Sequence, residues 1–332
     1  MKYWQIAAGS IGRDYGKDFV RYGMAFVGGH RNVTRMAQVA AGDRVLLKKG
    51  TSRIVAAGEV VVRNGKHRGE NDKAWLRDFD GWDLRGYCFV NWHVPAKPWP
   101  TTGLTRTTIQ NVLTRRLREV TDEIISSVPV HESLDPEPGE TRPIPDEQIV
   151  EYLIAQGLRP GAAEDLTDTF RRVRLLARYY YGQNRVDIRE HETRTFLVIP
   201  LLLALGWAEQ QIKIELPVKN VGRADVACFS KPFTRSDNKC VLIVETKGFN
   251  QGLHYAHRQV AGYAKQFPTC RVIVVSNGYC YKTWIRQDGE VFAETPTAYL
   301  NLLNPRDRYP LDPDNVQGSL EVLRTLLPYS LV

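Results

Sequence analysis

The chain has 332 residues, 43% of them hydrophobic and 25% charged, with a net charge of +8. That is the composition of a globular protein with room for two domains, and no apolar run approaches the roughly 20 residues that a membrane-spanning helix needs. The basic balance is compatible with a nucleic-acid partner without establishing one. Met1-Lys2-Tyr3-Trp4 opens no apolar segment with a cleavage site, so the chain is expected to stay in the cytoplasm, without membrane attachment. The five cysteines form no Cys-x-x-Cys pair, and four lie in apolar strand-like runs; they read as reduced core thiols.

Residues 1–128 read as a strand-rich unit. Strands are predicted at Tyr3–Ala8, Met24–Val27, Asp43–Lys48, Ile54–Arg63 and Gly86–His93, with a short helix at Asp14–Tyr22. A second helix is predicted over Thr108–Arg118, with Leu113 and Leu117 facing inward. Five of the seven tryptophans (Trp4, Trp75, Trp82, Trp92 and Trp99) fall before residue 100. Most fill a core, but Trp75 and Trp82 stand among Asp72, Lys73, Arg77, Asp78 and Asp80, a setting suited to stacking on a base. The order of Trp4, the Ala8-Gly9-Ser10 loop, a helix, Met24–Gly29, Gly42-Asp43-Arg44-Val45 and the Trp82–Pro95 stretch is similar to EVE and YTH domains of the PUA-like superfamily. That resemblance implies a small β-barrel that reads a modified, flipped-out base, with Trp75 and Trp82 as cage walls and Ser10 and Phe26 lining the pocket.

Residues 129–147 hold five prolines and an acidic excess, which predicts an extended linker. A helical connector follows over 148–184. Its helices are expected at Glu147–Ala155 and at Leu166–Tyr181, the second capped by Thr167 or Asp168. Arg171, Arg172, Arg174 and Arg178 crowd the second helix; they form either a solvated face or a DNA-backbone contact.

From residue 185 to the end the chain changes character. Glu192–Trp207 is an apolar helix with a Gly206 stop, followed by strands at Ile212–Leu216, Ala224–Phe229 and Val241–Thr246. A helix at Gly252–Gln266, strands at Arg271–Ser276 and Tyr281–Arg286, and a last helix at Val316–Leu327 complete the prediction. In Cys240–Lys247 the buried run ends in Glu245-Thr246-Lys247, and alternation puts Glu245 and Lys247 on one face. Asp225 comes from the preceding strand, while Gln259 and Tyr263 lie one helical turn apart. Asp, then Glu-x-Lys, then Gln-x-x-x-Tyr, after a helix with a Glu near its start, resembles the PD-(D/E)XK nucleases and the N-terminal nuclease domain of type I restriction motor subunits. The likeness covers roughly residues 185–286.

The resemblance implies phosphodiester hydrolysis with Mg²⁺, for which Mn²⁺ can substitute. Asp225, Glu245 and the Thr246 carbonyl supply oxygen ligands, extended by Glu192. Lys247 orients water or stabilises developing charge, and Gln259 and Tyr263 support the ligands. The expected fold is thus mixed, α+β and α/β: an N-terminal PUA-like β-barrel joined by a Pro-rich linker and helical segment to a PD-(D/E)XK restriction-endonuclease-like core. Together the halves imply a modification-dependent restriction endonuclease acting on double-stranded DNA with altered cytosines. A homodimer is expected, since cutting both strands with one site per chain takes two chains. An RNA-directed nuclease and a non-catalytic reader of modified nucleic acid are the alternatives.

Overall fold

The computed structural model describes residues 1–10, 13–70, 84–134, 139–182, 188–235, 239–249, 251–253, 255–287 and 292–331. The chain folds as two compact units of mixed α and β structure, one within Met1–Arg77 and Asp83–Glu137, the other within Pro138–Val332. No helix among the described residues is long and apolar enough to cross a membrane.

The first unit contains β1 (Tyr3–Ala7), β2 (Gly9–Ser10), β3 (Arg13–Asp14), α1 (Gly16–Arg21), β4 (Met24–Val27), α2 (His30–Met36), β5 (Arg44–Lys49) and β6 (Arg53–Val60). It continues with β7 (Arg68–Gly69), β8 (Gly86–His93), β9 (Trp99–Pro100), β10 (Ile109–Asn111) and α3 (Arg115–Ser127). The main sheet runs β10-β1-β5-β6-β8-β4 and curls as a half-barrel. Among the described strands of this sheet only β1 and β5 pair in parallel, and the chain between them carries α1, β4 and α2, the long crossover that a parallel pair requires. Trp4 and Trp92 are core residues whose indole N–H groups donate to Asp43 Oδ2 and the Met24 carbonyl.

Two expectations for this unit are corrected. The helix predicted over Thr108–Arg118 is a strand followed by a helix: residues 109–111 pair with β1, and α3 starts only at Arg115. Leu117 is buried against the sheet, but Leu113 lies in the intervening turn, 76% exposed. The predicted linker is also largely folded. Val130 bridges His93, the His131 amide donates to the Trp92 carbonyl, and the Leu134 amide donates to that of Arg21. On the other side, Gly139 and Ile144 donate to the Pro310 and Pro305 carbonyls, and Arg142 pairs with Asp307. Prolines kept these stretches out of helices, yet the amides of His131, Leu134, Gly139, Arg142 and Ile144 still found partners. A fragment ending at residue 137 is therefore expected to outlast one ending at 128 by about 2–4 kcal/mol in urea unfolding, at about 1 kcal/mol per hydrogen bond restored. Coincident unfolding curves would refute that attachment.

The second unit begins with α4 (Asp146–Ala155) and α5 (Pro160–Gly182). α5 is one long helix rather than one opened at residue 167 or 168. Ile149, Leu153, Leu166, Phe170 and Val173 join the same core as the sheet, so these helices belong to the unit and are not a connector. Next come α6 (Glu190–Thr193), a π-helical turn (Arg194–Val198) and α7 (Ile199–Ala204), closed by Gly206 at φ 101°. Pro200 has no amide hydrogen to donate, and the helix widens just before it. β11 (Ile212–Val218), β12 (Gly222–Phe229), β13 (Cys240–Thr246), α8 (Ala256–Ala264), β14 (Val272–Ser276), β15 (Cys280–Ile285), β16 (Ala298–Asn301) and α9 (Ser319–Thr325) follow. The sheet has its six described strands in sequence order, and among them only β13 and β14 are parallel, linked through α8. β13 is buried at every residue, as its apolar run predicts, whereas β16 had no sequence signal. All five cysteines are buried thiols outside any disulfide.

Candidate active site

The polar centre of the second unit lies where β12 and β13 stop pairing, beside the continuing β11–β12 ladder. The β12–β13 ladder contains Val226↔Val244, and one further step sets Asp225 opposite Glu245. The β11–β12 ladder passes from Ile214↔Val226 to Leu216↔Ala224, which sets Glu215 opposite Asp225. Three carboxylates thus stand in one row across three strands. Like charges directly opposite one another repel, so the row requires cations.

Two are supplied from within the unit. Lys247 Nζ donates to Glu245 Oε1 at 2.6 Å and to Gln259 Oε1 at 3.2 Å, with Glu190 Oε1 at 3.8 Å. The Gln259 amide donates in turn to the Tyr263 hydroxyl at 3.0 Å, across one turn of α8. Arg194 Nη1 donates to Asp225 Oδ1, and its Nη2 to Glu215 Oε1, each at 2.8 Å. The other oxygen of Asp225 accepts from the Thr246 amide and hydroxyl at 2.7 and 2.8 Å. Gly278, at φ 92°, lets the β14–β15 hairpin approach the π turn; a Cβ there would lie 2.4 Å from Leu197 Cδ1.

Glu245 is 2% exposed, and its Oε2 has no hydrogen-bond partner among the described residues. Burial pushes its carboxyl up to about 7, and the charges of Asp225 and Glu190 push the same way, against the pull of Lys247. Burial likewise raises the Tyr263 hydroxyl. No ready-made cage of three or more His, Cys, Asp or Glu ligands exists among the described residues. The donor set nevertheless suits a divalent cation. Glu245 Oε2 is an orphaned buried acceptor, Asp225 Oδ1 retains one unused lone pair, and the Thr246 carbonyl faces the same neighbouring strand as its amide.

Asp225, Glu245, Thr246, Lys247, Gln259 and Tyr263 are thus brought together, and Glu192 is not. Its Oε2 accepts from the Arg189 amide at 3.1 Å and caps its own helix, while Glu190 faces Lys247. Residues two apart in a helix point to nearly opposite sides, so only one of the two can face the strands. Arg194 and Glu215 were missed; an arginine inside the apolar run 193–205 was the available signal, because a buried cation demands an anion.

Of the arginines on α5, Arg171, Arg172 and Arg178 are exposed. Arg174 is not available to a DNA backbone, since it pairs with Asp146 and donates to the Leu302 carbonyl, both at 2.8 Å. In the first unit Phe26 is 5% exposed and packs against Tyr15 and Phe19, so it serves the core rather than a pocket wall. A cavity of about 550 Å³ opens elsewhere in that unit, lined by Ala8, Val20, Leu47, Val55, Val94 and Leu134 among others. Ser10 lies in β2, its side chain outside what is described, and Trp75 and Trp82 fall outside the described residues. No protein-family model matches the chain, and no curated protein matches it either.

Proposed function

We propose that the second unit is a divalent-cation-dependent nuclease of the PD-(D/E)XK type, and that the first is a PUA-like reader directing it to double-stranded DNA carrying modified cytosine. One observation carries the nuclease reading: Asp225 and Glu245 stand opposite each other on adjacent strands, and Glu245 holds Lys247, which continues through Gln259 to Tyr263 in one hydrogen-bonded chain. A structural ion pair would not leave a buried carboxylate oxygen without a donor.

Asp225 and Glu245 would hold a Mg²⁺ ion, with the Thr246 carbonyl and Glu190 as the further oxygen donors. When bound, the cation supplies Lewis acidity toward the phosphate and a stronger water nucleophile. Lys247, fixed by Glu245 and Gln259, presents a positive charge to the scissile phosphate and the attacking water. Gln259 orients Lys247 and is itself held by Tyr263. The exposed Arg171, Arg172 and Arg178 and the net charge of +8 suit a phosphate backbone.

The reading is tested by incubating the full chain with matched modified and unmodified duplexes and RNA, with Mg²⁺ and with EDTA. Mg²⁺-dependent cutting of the modified duplex is expected. Cleavage of RNA alone would redirect the substrate, and no cleavage of any of them would refute the nuclease.

A further inference from the structure

We infer that Arg194 is a positioning residue for this site: its guanidinium locks Asp225 to Glu215 and so sets the carboxylate geometry that a divalent cation meets. The inference rests on the nuclease reading and extends it to two residues outside the Asp, Glu-x-Lys and Gln-x-x-x-Tyr elements.

Three observations carry it. Arg194 is 6% exposed, so it has no surface to offer a DNA strand, and it acts through what it holds. It holds three acceptors at once, Asp225 through Nη1 and both Glu215 and the His191 ring Nδ1 through Nη2, and a planar fork does this where a lysine ammonium on a flexible stem does not.

The backbone is distorted on both sides of the contact. Glu215 sits at φ 51°, a left-handed conformation that a residue with a Cβ rarely adopts, in the middle of β11 and opposite Asp225. Arg194 itself opens the π turn. Such a turn adds a residue to the helical repeat, so side chains upstream of it stand about 100° around from their places in a regular α-helix. Without it, neither Arg194 nor Glu190 would keep its direction relative to the apolar residues of α7. An ion pair that only joined helix to sheet would need neither distortion. Strain retained at a carboxylate row is the mark of geometry held for a ligand.

Asp225 is consequently fixed at both oxygens, by Arg194 on one and by Thr246 on the other, with its plane set before any cation arrives. Glu215 anchors the far end of the guanidinium, with Arg223 Nη1 at 3.6 Å balancing its second oxygen.

The test uses the full chain as wild type, Arg194→Lys, Arg194→Met and Glu215→Gly. Three quantities are read: Mn²⁺ affinity by titration calorimetry without DNA, Tm in EDTA, and kcat and KM on a cleavable duplex. Arg194→Met is expected to weaken Mn²⁺ binding by about tenfold or more and to lower kcat with KM little changed, the scale seen when a partner orienting a metal ligand is removed. Arg194→Lys should recover part of both losses. Glu215→Gly relieves the left-handed strain but takes one anion from Arg194, so Tm should change little while Mn²⁺ binding still weakens. A merely structural role predicts no such split, and this variant decides the matter if Arg194→Met fails to fold. Unchanged Mn²⁺ affinity in folded variants would overturn the inference and leave the nuclease reading standing. Tighter Mn²⁺ binding by Arg194→Met would overturn it too, making Arg194 a competitor for Asp225. A wild type that neither binds Mn²⁺ nor cleaves would remove both.

Discussion

Glu245→Gln should make the metal-free protein more stable at about pH 8, by something of the order of 3 kcal/mol, and make little difference near pH 4.5. The folded-state pKa of Glu245 is raised to about 7 from an ordinary 4.5, chiefly by burial and then by Asp225 and Glu190. Between those two values the folded chain keeps a proton that the unfolded chain has released. Stability therefore falls as pH rises through that window, by about 1.4 kcal/mol per pH unit. Glutamine imitates the protonated carboxyl and escapes the loss. Urea unfolding of both proteins in EDTA, at several pH values, measures the gap. Parallel curves would show that Glu245 is not strained by its charge. Added Mn²⁺ should raise the Tm of the wild type and not of the variant, because only the ionised carboxylate gains from a cation.

Asp225→Asn should move stability the other way, by about 2–3 kcal/mol, although it removes the same charge. Asp225 is not orphaned; it accepts from Arg194, the Thr246 amide and the Thr246 hydroxyl. An asparagine has one acceptor oxygen. If that oxygen serves Thr246, the amide nitrogen faces Arg194 Nη1, donor against donor. Breaking one partner of a buried pair costs about 3–5 kcal/mol, and Glu215, which Arg194 keeps, lowers that figure. An Asp225→Asn protein as stable as the wild type would contradict the Arg194 contact. Both substitutions should reduce Mg²⁺-dependent cleavage about a thousandfold, since several kcal/mol of charge stabilisation go with the cation. Two carboxylates one strand apart thus differ in the sign of their effect on folding, because one has its hydrogen bonds and the other lacks one.

Much of the local chemistry was legible along the chain. The apolar run 240–244 announced a buried strand, and its Glu-x-Lys ending put two ionisable groups on one face. The four-residue spacing of Gln259 and Tyr263 put them on one helix face, where they bond. The prolines of 129–147 straddle the division between the two units, which falls between residues 137 and 138. These features depend on residues within a few positions of one another, and the 2-fold and 3.6-fold periods report that range and no further.

What the sequence by itself determined, then, was which segments become buried strands and helices and which of their residues share a face. The tertiary structure decided which of those faces meet. Whether Glu190 or Glu192 looks at Lys247 depends on helix phase, and the π turn before Pro200 resets it. The row of Glu215, Asp225 and Glu245 exists only through the registers of β11, β12 and β13, and a shift of one residue would turn each side chain to the other face. Arg174 looked like its exposed neighbours until Asp146 and Leu302 arrived beside it. Residues 109–111 became a strand because β1 offered them an edge. In each case the deciding partner lies far along the chain, or in a backbone distortion, and local periodicity carries no information about either.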